Sequence, residues 1–576
     1  MRLIVCSNSA PRWQDGAGLL PRSPGGLVPL LATLLGEHGG DWVCTMPVDG
    51  PSGPSRGDVS VEVTRRPCGG TPSAVSRDGS VEVTRPPGGA PPSAALADGP
   101  TQATWPPGDG TPVGAPGDGP SAVPGGSVQA TWPPGDGTPS AALADGRVQA
   151  TWPHGGGTPS GVPGDGSVEV TRLPGEVTLH RLRLPRDMVD RHYETIGVRL
   201  LLWLFHYLLD TSRQPDGRLA EAWSGYEAVN RAYADRVATL MTGSPDEFVL
   251  VNDHHLFLVP EMLGRRGGRR GRVAFFQGLP WCEPDYFGVL PAYIRDRILA
   301  SLLCADVIGF HCTRWARAFL GCCARYLPGC AVDDDGVTYD GYRTRVVVAP
   351  FPLDVAAVER LLDEPATAEW RGRLDREGRG RRMIVRADRI DLWKNLPRGF
   401  TAYRNLLERE PGLAGEWWFC AVATPPGRPT ERTLALQREC EGMVADLNER
   451  FGAPGRPAVS LIYPDPATTR NCVVAALSGA DVMVVNPTFD GMNLVAKEAL
   501  FLGERARLLL SVNAGAYEQL ADHVTPVHPF DVEATASAML DAMAAGDVPA
   551  GRAAARRSLR EQDANSWLDR MMGARR

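Results

Sequence analysis

Short apolar runs and longer stretches of helical periodicity alternate along most of the chain. Residues 3–7 form the first apolar run and predict a buried strand, and a Gly-rich turn separates it from a predicted helix at about residues 27–38. Similar runs at residues 248–251, 273–276 and 307–310 are each followed by a helical pattern. Strands that alternate with amphipathic helices predict a parallel sheet covered by helices on both faces.

A second series of apolar runs begins with residues 346–349. It continues at residues 383–386, 417–422, 461–463, 482–485 and 508–511. Two such series predict an α/β protein with two Rossmann-like domains that face each other across a cleft, and ligands are expected at the carboxyl ends of the strands. We expect the N-terminal domain to comprise residues 1–48 and 176–349, and the C-terminal domain residues 350–548, with the hinge near residues 350–353.

Residues 49–175 interrupt this pattern with a composition rich in Gly, Pro, Ser and Thr. A repeated unit places its threonines 20 residues apart, with one longer step of 27 residues. A period near 20 is also found in solenoids, but each unit here has too few apolar residues to build a shared core. The stretch is therefore predicted to be a duplicated, disordered insertion in the N-terminal domain.

Composition and charge exclude several classes of protein. A chain of 576 residues is too long for one core, which fits the two predicted domains. The net charge of −7 argues against nucleic acid or an acidic membrane as the main partner. No signal peptide or membrane span is predicted. The twelve cysteines include no Cys-x-x-Cys pair, and we expect reduced thiols and a cytoplasmic location.

Two segments of the predicted C-terminal domain combine charges in a way that suits a nucleotide sugar. Arg389 and Lys394 place two fixed cations close together, as is needed to stabilise a departing diphosphate. About a hundred residues later, a loop that leads into a helix has Asp490 at one end and Glu498 at the other. The alternatives are two solvated cations at a helix start, an N-capping aspartate and a surface glutamate.

These segments resemble those of the trehalose-6-phosphate synthases, glycosyltransferase family 20. Residues 490–498, Asp-Gly-Met-Asn-Leu-Val-Ala-Lys-Glu, look like the donor-sugar loop of that family, and residues 389–397 are similar to its phosphate-binding segment. The resemblance implies the two-domain GT-B arrangement, with C-terminal helices at residues 549–576 that cross back to the first domain.

The resemblance also implies roles for individual residues in binding the donor. Arg389 and Lys394 would stabilise the leaving diphosphate, Asp490 would hold a sugar hydroxyl, and Glu498 would bind the ribose. Backbone amides at the start of the helix would suit phosphate or sugar oxygens; these belong to Gly491, Met492, Asn493 and Leu494.

Further residues correspond to the family's first domain and its acceptor site. Gly25 and Gly26 are similar to the glycine loop that closes over the diphosphate. Asp253 lies in a segment like the family's His-Asp-Tyr-His-Leu and would act near the acceptor and the reacting sugar, although a buried structural aspartate is the alternative. Tyr193 and Arg428 would contact the acceptor. The implied partners are a nucleotide diphosphate sugar and a polar or phosphorylated acceptor, with no cofactor and no metal; self-association stays open.

Several positions depart from the family pattern on the sugar and acceptor sides. Gly278 stands where the family has a histidine that helps to hold the transferred glucose. Acceptor-side positions are Ser9, Thr45, Leu202 and Gly427 in place of arginine or tryptophan. The pattern shows partial similarity to the pseudo-glycosyltransferases of validamycin-type aminocyclitols, so we expect a diverged acceptor. Two alternatives remain open: an authentic trehalose-phosphate synthase, and a non-catalytic regulator that binds a sugar nucleotide.

Overall fold

The computed structural model describes residues 1–9, 12–14, 18–20, 26–48, 143–144, 147–148, 168–173, 176–211, 218–264, 271–545 and 551–573. Met1–Gly53 and Gly161–Arg576 form one compact unit, and Pro54–Ser160 forms a second. Most of the repeat stretch lies outside the described residues. Within residues 54–160 only Leu143–Ala144 and Arg147–Val148 are described, as a short antiparallel pair.

Twenty strands occur in the described residues. In chain order they are β1 (Arg2–Cys6), β2 (Arg12–Gln14), β3 (Gly18–Leu20), β4 (Gly40–Val48), β5 (Leu143–Ala144), β6 (Arg147–Val148), β7 (Val168–Leu173), β8 (Val177–Pro185), β9 (Glu247–Asn252), β10 (Arg272–Gln277), β11 (Val307–Phe310), β12 (Ala331–Asp333), β13 (Gly336–Tyr339), β14 (Tyr342–Val348), β15 (Arg382–Arg389), β16 (Trp417–Thr424), β17 (Val459–Ile462), β18 (Val482–Val485), β19 (Arg507–Ser511) and β20 (Thr525–Val527).

The α-helices connect these strands and cover the sheets. They are α1 (Leu27–His38), α2 (Arg186–Asp190), α3 (Trp203–Phe205), α4 (Leu219–Leu240), α5 (Val259–Leu263), α6 (Pro284–Phe287), α7 (Ala292–Leu302), α8 (Thr313–Tyr326), α9 (Val355–Asp363), α10 (Pro365–Gly378), α11 (Leu396–Arg409), α12 (Leu413–Glu416), α13 (Glu431–Phe451), α14 (Thr469–Gly479), α15 (Leu494–Leu502), α16 (Tyr517–Leu520), α17 (Val532–Ala544), α18 (Arg552–Arg560) and α19 (Ala564–Met572). A π-helix spans Arg191–Leu202, and 3-10 turns span His254–Leu256, Leu392–Lys394 and Ala521–His523.

Two large sheets organise the first unit and confirm the predicted α/β class. The N-terminal sheet has the order β12-β13-β14-β11-β10-β9-β1-β4-β8-β7, and the C-terminal sheet has the order β17-β16-β15-β18-β19-β20. Every pair in the C-terminal sheet is parallel, and within the N-terminal sheet antiparallel pairs occur only at its two edges. We refer to each sheet with its helices as a lobe.

Both faces of each sheet are buried, as continuous apolar strands require. Leu3 and Val5 of β1 belong to one hydrophobic cluster, and the alternate residues Ile4 and Cys6 belong to another on the opposite face. The C-terminal sheet is enclosed in the same way by two further clusters. Among the described residues, none of the helices combines the length and apolar character that a bilayer crossing requires.

The prediction that residues 346–349 begin the second series was wrong. They fall at the end of β14, which pairs in parallel with β11 in the N-terminal sheet. An apolar run shows that a strand is buried but does not specify its neighbour, and the chain crosses to the second lobe only after this strand. Helix α19 lies against the N-terminal sheet, where Trp567 Nε1 donates to the carbonyl of Ala349 at 2.9 Å.

The N-terminal sheet ends in β7, which lies inside the 49–175 stretch. It pairs antiparallel with β8 over six residues, and its Leu173 is buried in the core. The edge strand therefore belongs to the sheet.

Deletion of residues 54–160 should preserve a single cooperative unfolding transition with a midpoint close to that of the full chain, because these residues form a separate unit and the deletion leaves both large sheets intact. Deletion of residues 54–175 also removes β7 and should lower the midpoint, since the burial of Leu173 alone stabilises the fold by about 2 kcal/mol. Thermal unfolding followed by circular dichroism compares the two. Equal destabilisation by both deletions would show that the repeats support the first unit.

Candidate functional site

The two lobes meet where the carboxyl ends of their strands face each other. Gly278 follows β10 in the N-terminal lobe, and Gly491 follows β18 in the C-terminal lobe. A Cβ atom added to Gly491 would lie 2.0 Å from the carbonyl oxygen of Gly278, so only glycine permits this approach of the two backbones. The site predicted at the strand ends therefore lies at a direct contact between the lobes.

Next to this contact, two predicted site residues of the C-terminal lobe form an ion pair. Lys394 Nζ donates to Asp490 Oδ2 at 2.8 Å and lies 4.0 Å from Asp388 Oδ1. The lysine side chain is 12% exposed, so the charges are largely shielded from water. Arg386 completes the network with a 2.8 Å ion pair to Asp388. A cation held among carboxylates in this way stays charged and keeps a fixed position.

The surroundings of the pair set its protonation. Burial disfavours the charged forms of both groups, but each partner outweighs that cost for the other. Asp490 and Asp388 raise the pKa of Lys394, while Lys394, His206 and Arg389 lower the pKa of Asp490. Both groups are therefore charged at neutral pH. The pKa of Asp388 is raised, because burial outweighs its cationic neighbours.

Arg389 and Lys394 are not on one helix. Arg389 is the last residue of β15, and Lys394 ends the 3-10 turn that follows. The Arg389 side chain is 54% exposed and pairs with Asp391 at 2.7 Å. The Asp391 carboxylate raises the pKa of Arg389, with smaller contributions from Asp490 and Tyr193. The two cations thus differ in exposure. Lys394 is buried in its ion pair, whereas the Arg389 guanidinium is exposed to solvent.

The loop that precedes α15 contacts both lobes. Asn493 adopts a left-handed conformation at φ 66°, caps α15 by accepting from the amide of Ala496, and donates to Asp490 at 3.2 Å. Trp315 Nε1 of the N-terminal lobe donates to the Gly491 carbonyl at 3.0 Å. Met492 is buried in the C-terminal core, and Leu494 packs against clusters of both lobes.

Glu498 lies one turn into α15, buried against Arg470. The arginine Nη1 contacts both carboxylate oxygens, at 2.9 and 3.1 Å. The side chain is thus buried and held in a fixed position by Arg470, and it is not the exposed surface glutamate of the alternative interpretation.

Asp253 follows β9 in a strained conformation. Its φ is 67°, which non-glycine residues seldom adopt, and Oδ1 accepts from the amide of Gly278 at 2.9 Å. A Cβ atom at Gly278 would lie only 2.8 Å from this oxygen. Burial raises the pKa of Asp253 to about 6, against the opposing effect of the Gly278 hydrogen bond. The glycine that departs from the family pattern therefore provides the space that the aspartate occupies.

The two predicted acceptor residues lie together. Tyr193 is on the π-helix, a conformation often found at functional sites, and its ring stacks on His255 at 5.3 Å. The Arg428 guanidinium of the other lobe lies 5.2 Å from the centre of the Tyr193 ring and 3.6 Å from Glu194. Burial raises the pKa of Tyr193.

In the part of the chain that the structure describes, no contacts support the predicted role of Gly25 and Gly26. Gly25 lies outside the described residues. Gly26 precedes α1 with φ 96°, and a Cβ atom there would meet no atom within 4 Å. Its predicted role in closing over a diphosphate stays a prediction. Among the described residues, no group of three or more His, Cys, Asp or Glu side chains could hold a metal ion.

Sequence reasoning missed several side chains at the site. His206 packs against Trp393 of the other lobe at 4.2 Å, and burial lowers its pKa to about 4, so it is neutral. Glu518 of the C-terminal lobe accepts from the amides of Thr313 and Arg314 at the start of α8, at 2.8 and 2.9 Å. The sequence carries one signal for His206, because an ionisable residue inside an apolar run is unusual. It carries none for Glu518, because the amides that it caps are distant in the chain.

Comparison with known proteins gives one consistent family. The model for glycosyltransferase family 20 matches residues 157–573. "Alpha,alpha-trehalose-phosphate synthase [UDP-forming] 6" of Arabidopsis thaliana is 30% identical over 385 residues, which cover 62% of this chain and 44% of the relative. The protein of Schizosaccharomyces pombe named as a UDP-forming alpha,alpha-trehalose-phosphate synthase is 28% identical over 379 residues, covering 65% and 72%. The chain therefore spans under half the length of the plant relative.

Solved structures give the same picture for the fold. A UDP-forming trehalose-phosphate synthase from Burkholderia xenovorans is 26% identical with a TM-score of 0.63, covering 71% of this chain and 89% of the other. A structure described as trehalose-6-phosphate from E. coli bound with UDP-2-fluoro glucose has a TM-score of 0.70 at 20% identity, covering 100% and 98%. The fold is that of the GT-B enzymes, as predicted.

Replacement of Gly491 by alanine should destabilise the lobe contact, because its Cβ would overlap the Gly278 carbonyl and force a backbone to move. We expect a loss of about 1–3 kcal/mol in the free energy of unfolding, the usual cost of overpacking. Gly427→Ala is the matched control, since its Cβ meets nothing within 4 Å. Urea unfolding measures both variants. A Gly491→Ala variant as stable as Gly427→Ala would show that the backbones separate freely.

Proposed function

Because the chain belongs to glycosyltransferase family 20, we propose that it transfers a sugar from a nucleotide diphosphate donor to a polar acceptor, with retention of configuration. The observation that carries this proposal is the buried Lys394–Asp490 pair, which lies next to the Gly491–Gly278 contact between the lobes. A fixed ammonium lies there beside the donor loop, and Arg389 lies close enough to influence the same carboxylate.

The geometry supports a division of work among these residues. Lys394 and Arg389 would stabilise negative charge on the departing diphosphate, a preorganised electrostatic effect that is strong in a site shielded from water. Asp490 and the amides of the donor loop would orient the sugar, and Glu498, held by Arg470, would bind the ribose. The names of the relatives specify UDP as the product, so UDP-glucose is the first donor to test.

On the acceptor side, Arg428 and Tyr193 come from opposite lobes and would close around the acceptor together. A guanidinium suits a phosphorylated acceptor, because its planar fork matches phosphate oxygens. A second candidate function is transfer to a different acceptor, such as an aminocyclitol, and Gly278 favours it: the Asp253 carboxylate lies where a side chain at 278 would begin. A non-catalytic sugar-nucleotide-binding regulator is the third interpretation.

Replacement of Lys394 by methionine should lower kcat by about 10²–10³-fold, the usual effect of removing one preorganised group that stabilises developing charge. The assay follows UDP release from UDP-glucose with glucose 6-phosphate, other sugar phosphates and aminocyclitols as acceptors. Arg404→Met is the control, a cation on α11 away from the lobe contact, and should change kcat less than about twofold.

The outcomes separate the three interpretations. Turnover with glucose 6-phosphate supports a trehalose-phosphate synthase, and turnover only with another acceptor supports the diverged enzyme. Binding of UDP-glucose without turnover on any acceptor supports the regulator. Turnover that is undiminished in Lys394→Met would contradict the assignment of the ion pair.

The raised pKa of Asp253 predicts an acid limb in the pH dependence of activity. The carboxyl is neutral below pH of about 6 and anionic above it, so a role that needs the anion is lost as the pH falls through 6. In Asp253→Asn, kcat/KM should be low and the acid limb near pH 6 should be absent.

Stability should respond in the opposite direction. Because folding raises the pKa of Asp253 from 3.8 to about 6, its contribution to stability is present below pH 3.8 and lost as the pH rises through 6. Asp253→Asn should therefore unfold at neutral pH no more easily than the unmodified chain. A large fall in its thermal midpoint at pH 7 would instead indicate a structural aspartate.

A further inference from the structure

The chain contains only two lysines, Lys394 and Lys497. Lysine and arginine together number 60, so the remaining 58 basic side chains are arginines. Arginine stays protonated in proteins, whereas a buried lysine can lose its proton near neutral pH. One of the two lysines lies in the ion pair at the lobe contact. The other has no part in that network.

Lys497 lies on α15, the helix that follows the donor loop, and is fully buried. Its Nζ donates to the carbonyl oxygen of Phe351 at 2.6 Å. Within the described part of the chain, no carboxylate forms an ion pair with it. The charged or titratable groups that face it are Arg570 of α19 and His311, which follows β11. A fully buried ammonium without an anionic partner is costly to maintain.

Phe351 belongs to the segment that crosses between the lobes. Its amide donates to His311 Nδ1 of the N-terminal lobe at 3.4 Å, and its ring lies 4.4 Å from the His311 ring and 5.5 Å from Trp567. The preceding Ala349 carbonyl accepts from Trp567. The first lobe, the last helix and Lys497 thus hold one short piece of backbone from three sides.

The surroundings of Lys497 favour loss of its proton. Burial and the nearby Arg570 lower its pKa to about 7. Burial, followed by the charge of Lys497, lowers the pKa of His311 to about 3, so the histidine is neutral and does not compensate. The protonation state of Lys497 is therefore sensitive to any negative charge that arrives near α15.

We propose that Lys497 is a positioning residue that joins the donor-binding helix to the interlobe crossing and takes up a proton when a nucleotide diphosphate sugar binds. The inference rests on the proposed function. Leu494 at the start of α15 precedes Lys497 by three residues, a rise of about 4.5 Å along the helix. A diphosphate at that helix start would favour the ammonium form, which donates a stronger hydrogen bond to Phe351 than the neutral amine does.

The first experiment observes the lysines directly. Full-length protein labelled with 13C at lysine Cε should give two resonances, and Lys497→Met identifies one by its disappearance. We expect the Lys497 resonance to titrate near pH 7 and the Lys394 resonance to stay in its charged position through this range. Titration of Lys497 at its ordinary value, above pH 10, would overturn the proposal.

The second experiment measures coupling to the donor. UDP-glucose is suitable because its diphosphate is esterified at both ends and does not titrate between pH 6 and 9. Without acceptor, its addition should raise the pKa of Lys497, and each unit of increase weakens binding by up to about tenfold once the lysine is deprotonated. The Kd measured by calorimetry should therefore rise with pH in the unmodified chain and stay flat in Lys497→Met.

Two further readouts distinguish positioning from a structural role. Lys497→Met should raise the KM for UDP-glucose with kcat within about twofold, and its thermal midpoint should be equal or higher, because an unpaired buried charge is removed. Arg552→Met is the matched control: Arg552 is also buried and donates to the carbonyl of Leu500, but away from the crossing. It should retain the pH dependence of binding.

The binding measurements distinguish a failure of the proposed function from a failure of the proposed Lys497 coupling. If UDP-glucose binds with the same pH dependence in the unmodified chain and in Lys497→Met, the coupling is wrong while the proposed function stands. If UDP-glucose does not bind the unmodified chain, the proposed function and the coupling both fail. A large fall in the thermal midpoint of Lys497→Met would show that the lysine serves the fold alone.

Discussion

The buried ion pair between Lys394 and Asp490 connects the two segments on which the site depends. It joins the turn after β15 to the loop before α15, which are about a hundred residues apart in the chain. A single buried charge would be costly, so neither partner can be removed without leaving the other uncompensated. The same network fixes the orientation of Asp388, which Lys394 and Arg386 both approach. The position of Lys394 thus depends on contacts from two segments of the chain and not on the local turn alone.

The second constraint is the close approach of the lobes. Glycines at 278 and 491 allow two backbones to touch, and Trp315, Arg428 and Glu518 add polar and ring contacts around that point. Asp253 lies in the space that a side chain at 278 would fill. Gly278 therefore does more than remove the histidine of the family pattern. It also allows the Asp253 carboxylate to line the cleft at this point.

Much of this could be predicted from sequence, because the elements are locally specified. The limits of α1, β11 and β18 follow from uninterrupted apolar patterns, and the two segments that carry the family resemblance are in contact through Lys394 and Asp490. The apolar run of β14 was wrongly assigned to the second series, since a buried strand has the same pattern in either lobe. Edge strands such as β7 were missed because their half-exposed residues lack a continuous apolar run.

The contacts of charged groups were the least accessible to sequence reasoning. Nothing in the sequence around Glu518 indicates that it binds the amides of α8, because the partners are about two hundred residues apart. The scarcity of lysine, in contrast, was visible from the start, and only the burial of Lys497 gave it meaning. The low lysine content became informative only when the structure showed where Lys497 lies.

The cap that Glu518 provides has a consequence for motion between the lobes. The first turn of α8 belongs to one lobe, while the acceptor of its amides belongs to the other. If the lobes separate, Thr313 and Arg314 lose their hydrogen-bond partner and the helix start becomes open to water. The rate of deuterium uptake at these two amides would then report how often the cleft opens.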